Sequence, residues 1–410
     1  MKKAFVTLVI GAAAILVFIF AGPVASGAVL LLIPAHTARV AHDLPAEYVP
    51  LHKGHVDLAT GLYIREDEDI VVGGTPALIV RRTYLSNYRV SKQFGIGTTH
   101  TGEWYLVGDG NTFSWAALIL ADGARVQFKR ISSGSSFANA LYENREESGP
   151  WNAALLGWTG MSWTVRLRDG STVRFRPCGA GSVCSVMESR DADGHTISYR
   201  RDRAGRLVKM ETSGDRWIAF EYDGDDRIVR VYASNHDEAH YEYDERGRLS
   251  RVTAKDGALR RYGYTDEDRM ASIEDPEITI TNIYDGNGRC ARQLNRFPGD
   301  EETLSFQFDY ALEGDRVVET TSTRSDGTWS RYRFDERRQA TSETWGGNGI
   351  GPATISYERD PSTGSQTALT VTCPDRRGQP LSHASVVRPE TEEWVKWDLL
   401  HTHCSFRPRQ

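Results

Sequence analysis

The chain has 410 residues, of which 40% are hydrophobic and 25% charged, and its net charge is −6. Positive charge is not concentrated in one stretch, which argues against nucleic-acid binding, because neutralising phosphates needs a basic patch. No stretch beyond residue 40 has the apolar period of a helix, and the 38 glycines suit a protein rich in turns. The sequence therefore predicts an all-β protein, long enough for two or three domains.

An apolar segment, residues 4–33, follows Lys2 and Lys3 at the N-terminus. About 20 apolar residues suffice to cross a bilayer, and the lysines would keep the N-terminus in the cytoplasm. Residues 1–35 are therefore expected to be a signal anchor in the inner membrane, with the body outside the cytoplasm. The alternative is a signal peptide cleaved near Ser26-Gly27-Ala28, which would give a secreted or periplasmic protein. Residues 36–50 are interpreted as a linker.

Residues 51–176 are predicted to form an N-terminal β domain. Asp122-Gly123 and Asp169-Gly170 each separate two runs of alternating apolar residues. An Asp-Gly pair between such runs is a strong hairpin signal. This region should therefore consist of antiparallel strands joined by short turns.

A short pattern recurs from Tyr199 onward. Its sharpest copy, residues 241–249, reads Tyr-Glu-Tyr-Asp-Glu-Arg-Gly-Arg-Leu, and its aspartate recurs every 21 residues at Asp202, Asp223 and Asp244. A fixed period of this size indicates one supersecondary unit stacked on copies of itself. Residues 190–345 are therefore predicted to be a repeat region, and residues 346–410 to hold degenerate strands of the same kind.

Each repeat unit is interpreted as a β-hairpin. Two aromatic residues, two positions apart, point to one face of a strand, and the aspartate then begins a turn that a glycine with positive φ completes. The residues assigned to these turns are Asp202, Gly205, Asp223, Asp244, Gly247, Arg248, Asp285 and Gly288. The aromatic face is assigned to Tyr222, Tyr241, Tyr243, Tyr262 and Tyr264.

These motifs resemble the YD repeat of the RHS (rearrangement hotspot) and teneurin-like families. The upstream order of motifs, Gly54-His55-Val56-Asp57 and then Arg82-Thr83-Tyr84, is similar to the domain of unknown function that precedes the repeats in bacterial RHS proteins. In that family, long arrays wind into a β-shell that encloses a C-terminal toxin. The resemblance implies an antiparallel meander of hairpins, here expected to form a curved, open sheet.

An open sheet would leave the aromatic face of the repeats uncovered. Monomers rarely expose apolar patches larger than several hundred Å². The N-terminal β domain with its tryptophans, or residues 346–410, is expected to cover this face, and a second subunit is the alternative. The same rings could instead receive sugars, but packing against each other is the preferred interpretation.

The five cysteines suit an exported protein. Cys178 and Cys184 flank a short small-residue stretch and are the first candidates for a disulfide. Cys373 and Cys404 are a second candidate pair. Cys290 occupies the leucine position of a repeat and is interpreted as a small buried hydrophobe.

No nucleophile elbow, phosphate-binding loop or zinc-protease motif is present in the sequence. The histidines near the ends, at 52, 55, 401 and 403, lack the second ligand cluster that a structural zinc site needs. The chain is therefore predicted to be non-enzymatic, with no cofactor and no metal.

The function expected is that of an exported scaffold or binding protein at the bacterial cell envelope, with an unidentified protein or glycan as partner. The first alternative is a truncated component of an RHS polymorphic toxin system. A weaker alternative is a carbohydrate-binding module.

Overall fold

The computed structural model describes residues 51–52, 55–109, 114–121, 123–134, 136–145, 151–177, 183–299, 303–348, 350–359, 366–374 and 380–386. Within these ranges the chain consists of antiparallel β-strands, turns and one short 3-10 helix at Phe137–Asn139. The predicted all-β class is confirmed. The predicted targeting segment and linker, residues 1–50, lie outside the described residues.

The first seven strands form three small sheets. β3, β4 and β7 make a three-stranded antiparallel sheet, which we call the N-terminal sheet, and β1–β2 and β5–β6 are two-stranded hairpins. The strands are β1 (Leu51–His52), β2 (Val56–Asp57), β3 (Ile64–Val72), β4 (Leu78–Leu85), β5 (Ser91–Lys92), β6 (Gly95–Ile96) and β7 (Thr98–His100).

The next eight strands close into a ring. Each strand from β8 to β15 pairs with its successor, and β15 also pairs with β8 through Cys184 opposite Leu106. The strands are β8 (Tyr105–Gly108), β9 (Trp115–Ile119), β10 (Arg125–Arg130), β11 (Leu141–Glu143), β12 (Leu155–Trp158), β13 (Trp163–Arg166), β14 (Thr172–Phe175) and β15 (Cys184–Arg190).

The repeats were predicted to form an open sheet, but the sheet that contains them closes into this ring at its N-terminal end, and the length of β15 is the reason. This strand has seven residues. On the edge opposite β14, its first two residues pair with β8, and its last three pair with the first strand of the repeats. One strand thus both closes the ring and continues the sheet into the repeat region.

The remaining strands form a long antiparallel meander in which each strand pairs with the next. The first ten are β16 (Thr196–Arg201), β17 (Leu207–Thr212), β18 (Trp217–Tyr222), β19 (Ile228–Ala233), β20 (Glu238–Tyr243), β21 (Leu249–Thr253), β22 (Leu259–Tyr264), β23 (Met270–Glu274), β24 (Thr279–Tyr284) and β25 (Cys290–Arg296). The last seven are β26 (Leu304–Glu313), β27 (Arg316–Arg324), β28 (Trp329–Phe334), β29 (Ala340–Gly347), β30 (Ile350–Arg359), β31 (Gln366–Pro374) and β32 (Pro380–Val386).

In the repeat turns, the aspartate carboxylate holds the turn closed. Oδ1 of Asp244 accepts hydrogen bonds from the amides of Arg246 and Arg248 at 3.0 and 2.9 Å, and its Oδ2 accepts from Nε of Arg248 at 2.7 Å. Gly247 lies in the left-handed region with φ of +75°. The other assigned turns share this arrangement, with positive φ at Gly205 and Gly288 and carboxylate-to-amide bonds at Asp202, Asp223 and Asp285.

Gly247→Val should lower the free energy of unfolding by more than about 1 kcal/mol, because β-branched residues resist positive φ. An added Cβ would meet its nearest atom at 3.5 Å, so backbone strain and not a clash would be the cause. Glu245→Ala, at an exposed position of the same turn, is the matched control and should be nearly neutral. Urea unfolding of both variants checks this, and equal effects would refute the role given to the glycine.

Candidate functional site at the interface of the N-terminal sheet and the repeats

Neighbouring repeat units are joined by an arginine–tyrosine contact. The guanidinium of Arg227 lies 4.9 Å from the ring centre of Tyr243 in the next unit, and the hydroxyl of Tyr243 donates to the carbonyl of Ile228 at 2.6 Å. The same pair of contacts recurs for Arg206 with Tyr222 and for Arg248 with Tyr264. The sequence assigned Arg248 to its turn but did not predict this stacking. The constant spacing of 16 residues between arginine and tyrosine was the available signal.

Each of these units also contains a bulge at the second aromatic residue. The register shifts between Glu221 and Tyr222, and again at Tyr243, Tyr264 and Tyr284. A bulge leaves one residue out of the regular ladder, so a backbone group becomes available for a partner from another part of the chain.

Residues 55–100, which we call the N-terminal segment, accept hydrogen bonds from three amides opposite these bulges. The amide of Ile228 donates to the carbonyl of Gln93 at 2.7 Å, that of Met270 to the hydroxyl of Tyr84 at 2.8 Å, and that of Cys290 to the carbonyl of Gly61 at 2.7 Å. The acceptors follow one another along the chain as Gly61, Tyr84 and Gln93, and their donors follow in the reverse order, as Cys290, Met270 and Ile228. The N-terminal segment therefore runs antiparallel to the succession of repeat units.

Two glycines allow the backbones to meet at this interface. A Cβ on Gly95 would lie 2.7 Å from the carbonyl oxygen of Gly247 and 3.1 Å from the amide nitrogen of Leu249. A Cβ on Gly61 would lie 2.6 Å from Cβ of Arg289. Both glycines also have positive φ, so any other residue would suffer a clash and backbone strain together.

Four charged side chains of the N-terminal sheet are buried at the centre of this interface. They form two ion pairs: Nη2 of Arg65 lies 2.8 Å from Oδ1 of Asp67, and Nε of Arg82 lies 2.6 Å from Oδ2 of Asp69. A bulge between Glu68 and Ile70 turns Asp69 inward. We call Arg65, Asp67, Asp69 and Arg82 the buried charge cluster.

The repeats supply hydroxyl groups to the buried charge cluster. The hydroxyl of Tyr241 donates to Oδ2 of Asp69 at 2.8 Å, and that of Tyr262 donates to Oδ2 of Asp67 at 3.1 Å. Arg82 lies 5.7 Å from the ring centre of Tyr241 and 5.8 Å from that of Tyr262. The first aromatic residues of two units are thus bound to the N-terminal sheet by both their rings and their hydroxyls.

The electrostatics of the buried charge cluster favour the ionised form of Asp67. Desolvation by burial would raise the pKa of Asp67, but the guanidinium groups of Arg65 and Arg82 outweigh it and hold this pKa well below its usual range. Burial raises the pKa of Tyr262 to about 12, so its hydroxyl stays protonated and can donate. The two layers of the protein are joined here because the tyrosine hydroxyls of the repeats donate to carboxylates whose charge is balanced within the N-terminal sheet.

The aromatic face is covered, and the cover is the N-terminal segment. Tyr241 packs on Phe94 with ring centres 4.8 Å apart, and Tyr264 packs on Tyr84 at 6.3 Å. The cover belongs to the predicted N-terminal β domain, but the residues that provide it precede the first tryptophan of the chain, Trp104. An open sugar-stacking surface on these rings is also ruled out: Tyr241 and Tyr262 are buried, and Tyr222, Tyr243 and Tyr264 are partly buried beneath turn arginines.

The cysteines fall into two groups. Cys184 and Cys373 are disulfide-bonded, while their expected partners, Cys178 and Cys404, lie outside the described residues. Cys290 is free and buried, as its place in the repeat predicted. In the part of the chain that the structure describes, no group of three or more His, Cys, Asp or Glu side chains has a geometry that could hold a metal ion.

Two parts of the chain match known protein families. Residues 53–128 match the domain of unknown function DUF6531, and residues 222–259 and 243–277 match the RHS repeat. Among curated proteins, none matches this sequence.

Solved structures that resemble the chain do so at low identity. The Tc holotoxin pore of Photorhabdus luminescens is 11% identical with a TM-score of 0.38, over 77% of this chain and 20% of the other. The TcdB2-TccC3 complex without its hypervariable C-terminal region is 10% identical with a TM-score of 0.34, over 79% and 23%. A porin-like protein from Bacteroides uniformis is 12% identical with a TM-score of 0.23, over 53% and 92%. This chain thus spans about a fifth of the length of the toxin structures.

The two family matches cover the two sides of the interface described above. Gly61, Tyr84 and Gln93 lie in the DUF6531 match, and Ile228 and Met270 lie in the RHS-repeat matches. The chain is an RHS-repeat protein in which DUF6531 precedes the YD repeats and packs against them.

Proposed function

We propose that the chain is a non-catalytic scaffold exported to the bacterial cell envelope, whose repeats are folded around its own N-terminal sheet. The observation that supports this most is the occupation of the aromatic face by the N-terminal segment. The bonds from Tyr241 to Asp69 and from Met270 to Tyr84 engage repeat groups that would otherwise be free to bind a cargo or ligand. A partner of this scaffold would therefore meet its outer face and its turns.

The outer face of the repeats carries charges that are paired across strands. Arg230 pairs with Glu238 at 2.6 Å, and Arg333 pairs with Glu319 at 2.8 Å. Exposed pairs of this kind add little stability, but they keep the surface polar. This surface suits a scaffold that stays soluble while presenting many similar units.

Export with oxidation is the first test of this proposal. Fractionation should place the chain in the envelope with residues 36–410 accessible to external protease. Among the described residues, no helix is both long and apolar enough to cross a bilayer, so the test concerns residues 4–33. Thiol counting on the unreduced protein should find between one and three free thiols among the five cysteines. Five free thiols in the exported protein would contradict the disulfides.

A component of an RHS polymorphic toxin system is the second candidate, and the family assignment favours it. Expression of the full chain in the cytoplasm of a bacterial host separates the two functions. A scaffold should leave the growth rate unchanged. Growth arrest that a gene from the same locus relieves would favour the toxin component and contradict the scaffold.

A further inference from the structure

A cavity of about 310 Å³ lies between the N-terminal segment and the ring of eight strands. Tyr88 and Lys92 line it from the N-terminal side, and the hairpin of β9 and β10 lines it from the ring. The cavity is separate from the buried charge cluster, none of whose four residues lines it. Its volume is at the lower end for small-molecule sites.

Two cations on the cavity wall are each placed over an aromatic ring. Nζ of Lys92 lies 5.0 Å from the ring centre of Tyr105, and Cζ of Arg125 lies 5.4 Å from that of Trp115. Trp115 is 39% exposed. These distances fit cation–π contacts, which hold the cationic groups beside flat apolar faces.

An acid, Glu103, also lines the cavity. Oε2 of Glu103 is buried and has no hydrogen-bond partner among the described residues. Desolvation raises the pKa of Glu103 to about 7, although Lys92 and Arg201 oppose the shift. Because burial favours its neutral form, Glu103 repels an anionic ligand less than an ordinary glutamate would.

We propose that this cavity binds a small carboxylate attached to a six-membered ring. Lys92 and Arg125 would bind the carboxylate, since charge-assisted hydrogen bonds to a carboxylate are the strong ones. Trp115, which is 39% exposed, would lie against the ligand ring with the face that Arg125 does not cover. Sugar acids and aromatic acids share this chemistry. The site would give the scaffold a ligand-binding function, and it does not depend on whether the repeats act as a scaffold.

Isothermal titration of the purified full chain with sodium glucuronate, sodium benzoate and glucose tests this proposal. At least one of the two carboxylates should bind, and glucose should not. Tighter binding of glucuronate would indicate a sugar acid as the ligand, and tighter binding of benzoate an aromatic acid. Lys92→Gln and Arg125→Gln should each weaken binding about tenfold, because each removes a charge-assisted bond. Arg230→Gln, on the outer face, is the matched control and should not change the affinity.

The melting temperature of each variant shows whether it is folded. Lys92 and Arg125 are both partly exposed, so their replacement should not unfold the chain. Absence of binding by both carboxylates up to about 10 mM would overturn the proposal. Equal affinities in the wild type and in both cavity variants, or binding of glucose as tight as that of glucuronate, would also overturn it.

Discussion

Asp69→Ala should lower the free energy of unfolding by about 3–5 kcal/mol, the usual cost of breaking a buried ion pair. The side chain of Asp69 is fully buried, and its two oxygens bind Nε and Nη2 of Arg82 at 2.6 and 3.0 Å. Removing it leaves the guanidinium of Arg82 buried and deprives the hydroxyl of Tyr241 of its acceptor. Chemical denaturation of the wild type and the variant measures this loss.

Glu242→Ala is the matched control for Asp69→Ala. Glu242 also belongs to an ion pair, with Arg251 at 3.4 Å, but both side chains are largely exposed. Its replacement should cost less than about 1 kcal/mol. If the two variants lose the same stability, the charges between the N-terminal sheet and the repeats are not held in the buried arrangement described.

A chain that begins at residue 101 should expose the aromatic face and aggregate. This truncation removes the N-terminal sheet, together with Phe94 and Tyr84, which cover Tyr241 and Tyr264. It also removes the acceptors for the amides of three repeat units. Binding of a hydrophobic dye should rise strongly, because the uncovered patch exceeds what monomers leave in contact with water.

A chain that ends at residue 348 tests whether the C-terminal strands, the other cover considered from the sequence, shield the aromatic face. Beyond that point, the described residues form their own small apolar cluster, with Ile355 and Leu369 at its centre. The large core that contains Tyr241 and Phe94 should remain intact. This second truncation should therefore bind much less dye than the chain that begins at residue 101. The opposite order would mean that the C-terminal strands cover the repeats.

The repeat turns could be predicted from the sequence because every determinant is local. In the unit around Asp244, the carboxylate, the left-handed glycine and the returning arginine all lie within five residues. The period of 21 residues then places the same turn in each unit. Local chemistry and repetition together specify the meander and its aromatic face.

The buried charge cluster could not be predicted from the sequence, because its partners are distant along the chain. Residues 65–69 read Arg-Glu-Asp-Glu-Asp, a run of charges that favours a solvated strand. Asp69 is buried against groups that lie far along the chain, including Tyr241, 172 residues later, whose hydroxyl donates to it. Closure of the ring was missed for a similar reason. The local sequence pattern does not show that β15 pairs with two different strands, β8 and β16, along the same edge.

Amide hydrogen exchange at Ile228, Met270 and Cys290 tests most directly whether the N-terminal segment is bound to the repeats. These three amides donate to Gln93, Tyr84 and Gly61. They should exchange at least about a hundredfold more slowly than exposed turn amides such as that of Gly224, because exchange requires the interface to open. Exchange as fast as at Gly224 would contradict the account, since the bulge amides would then be open to water.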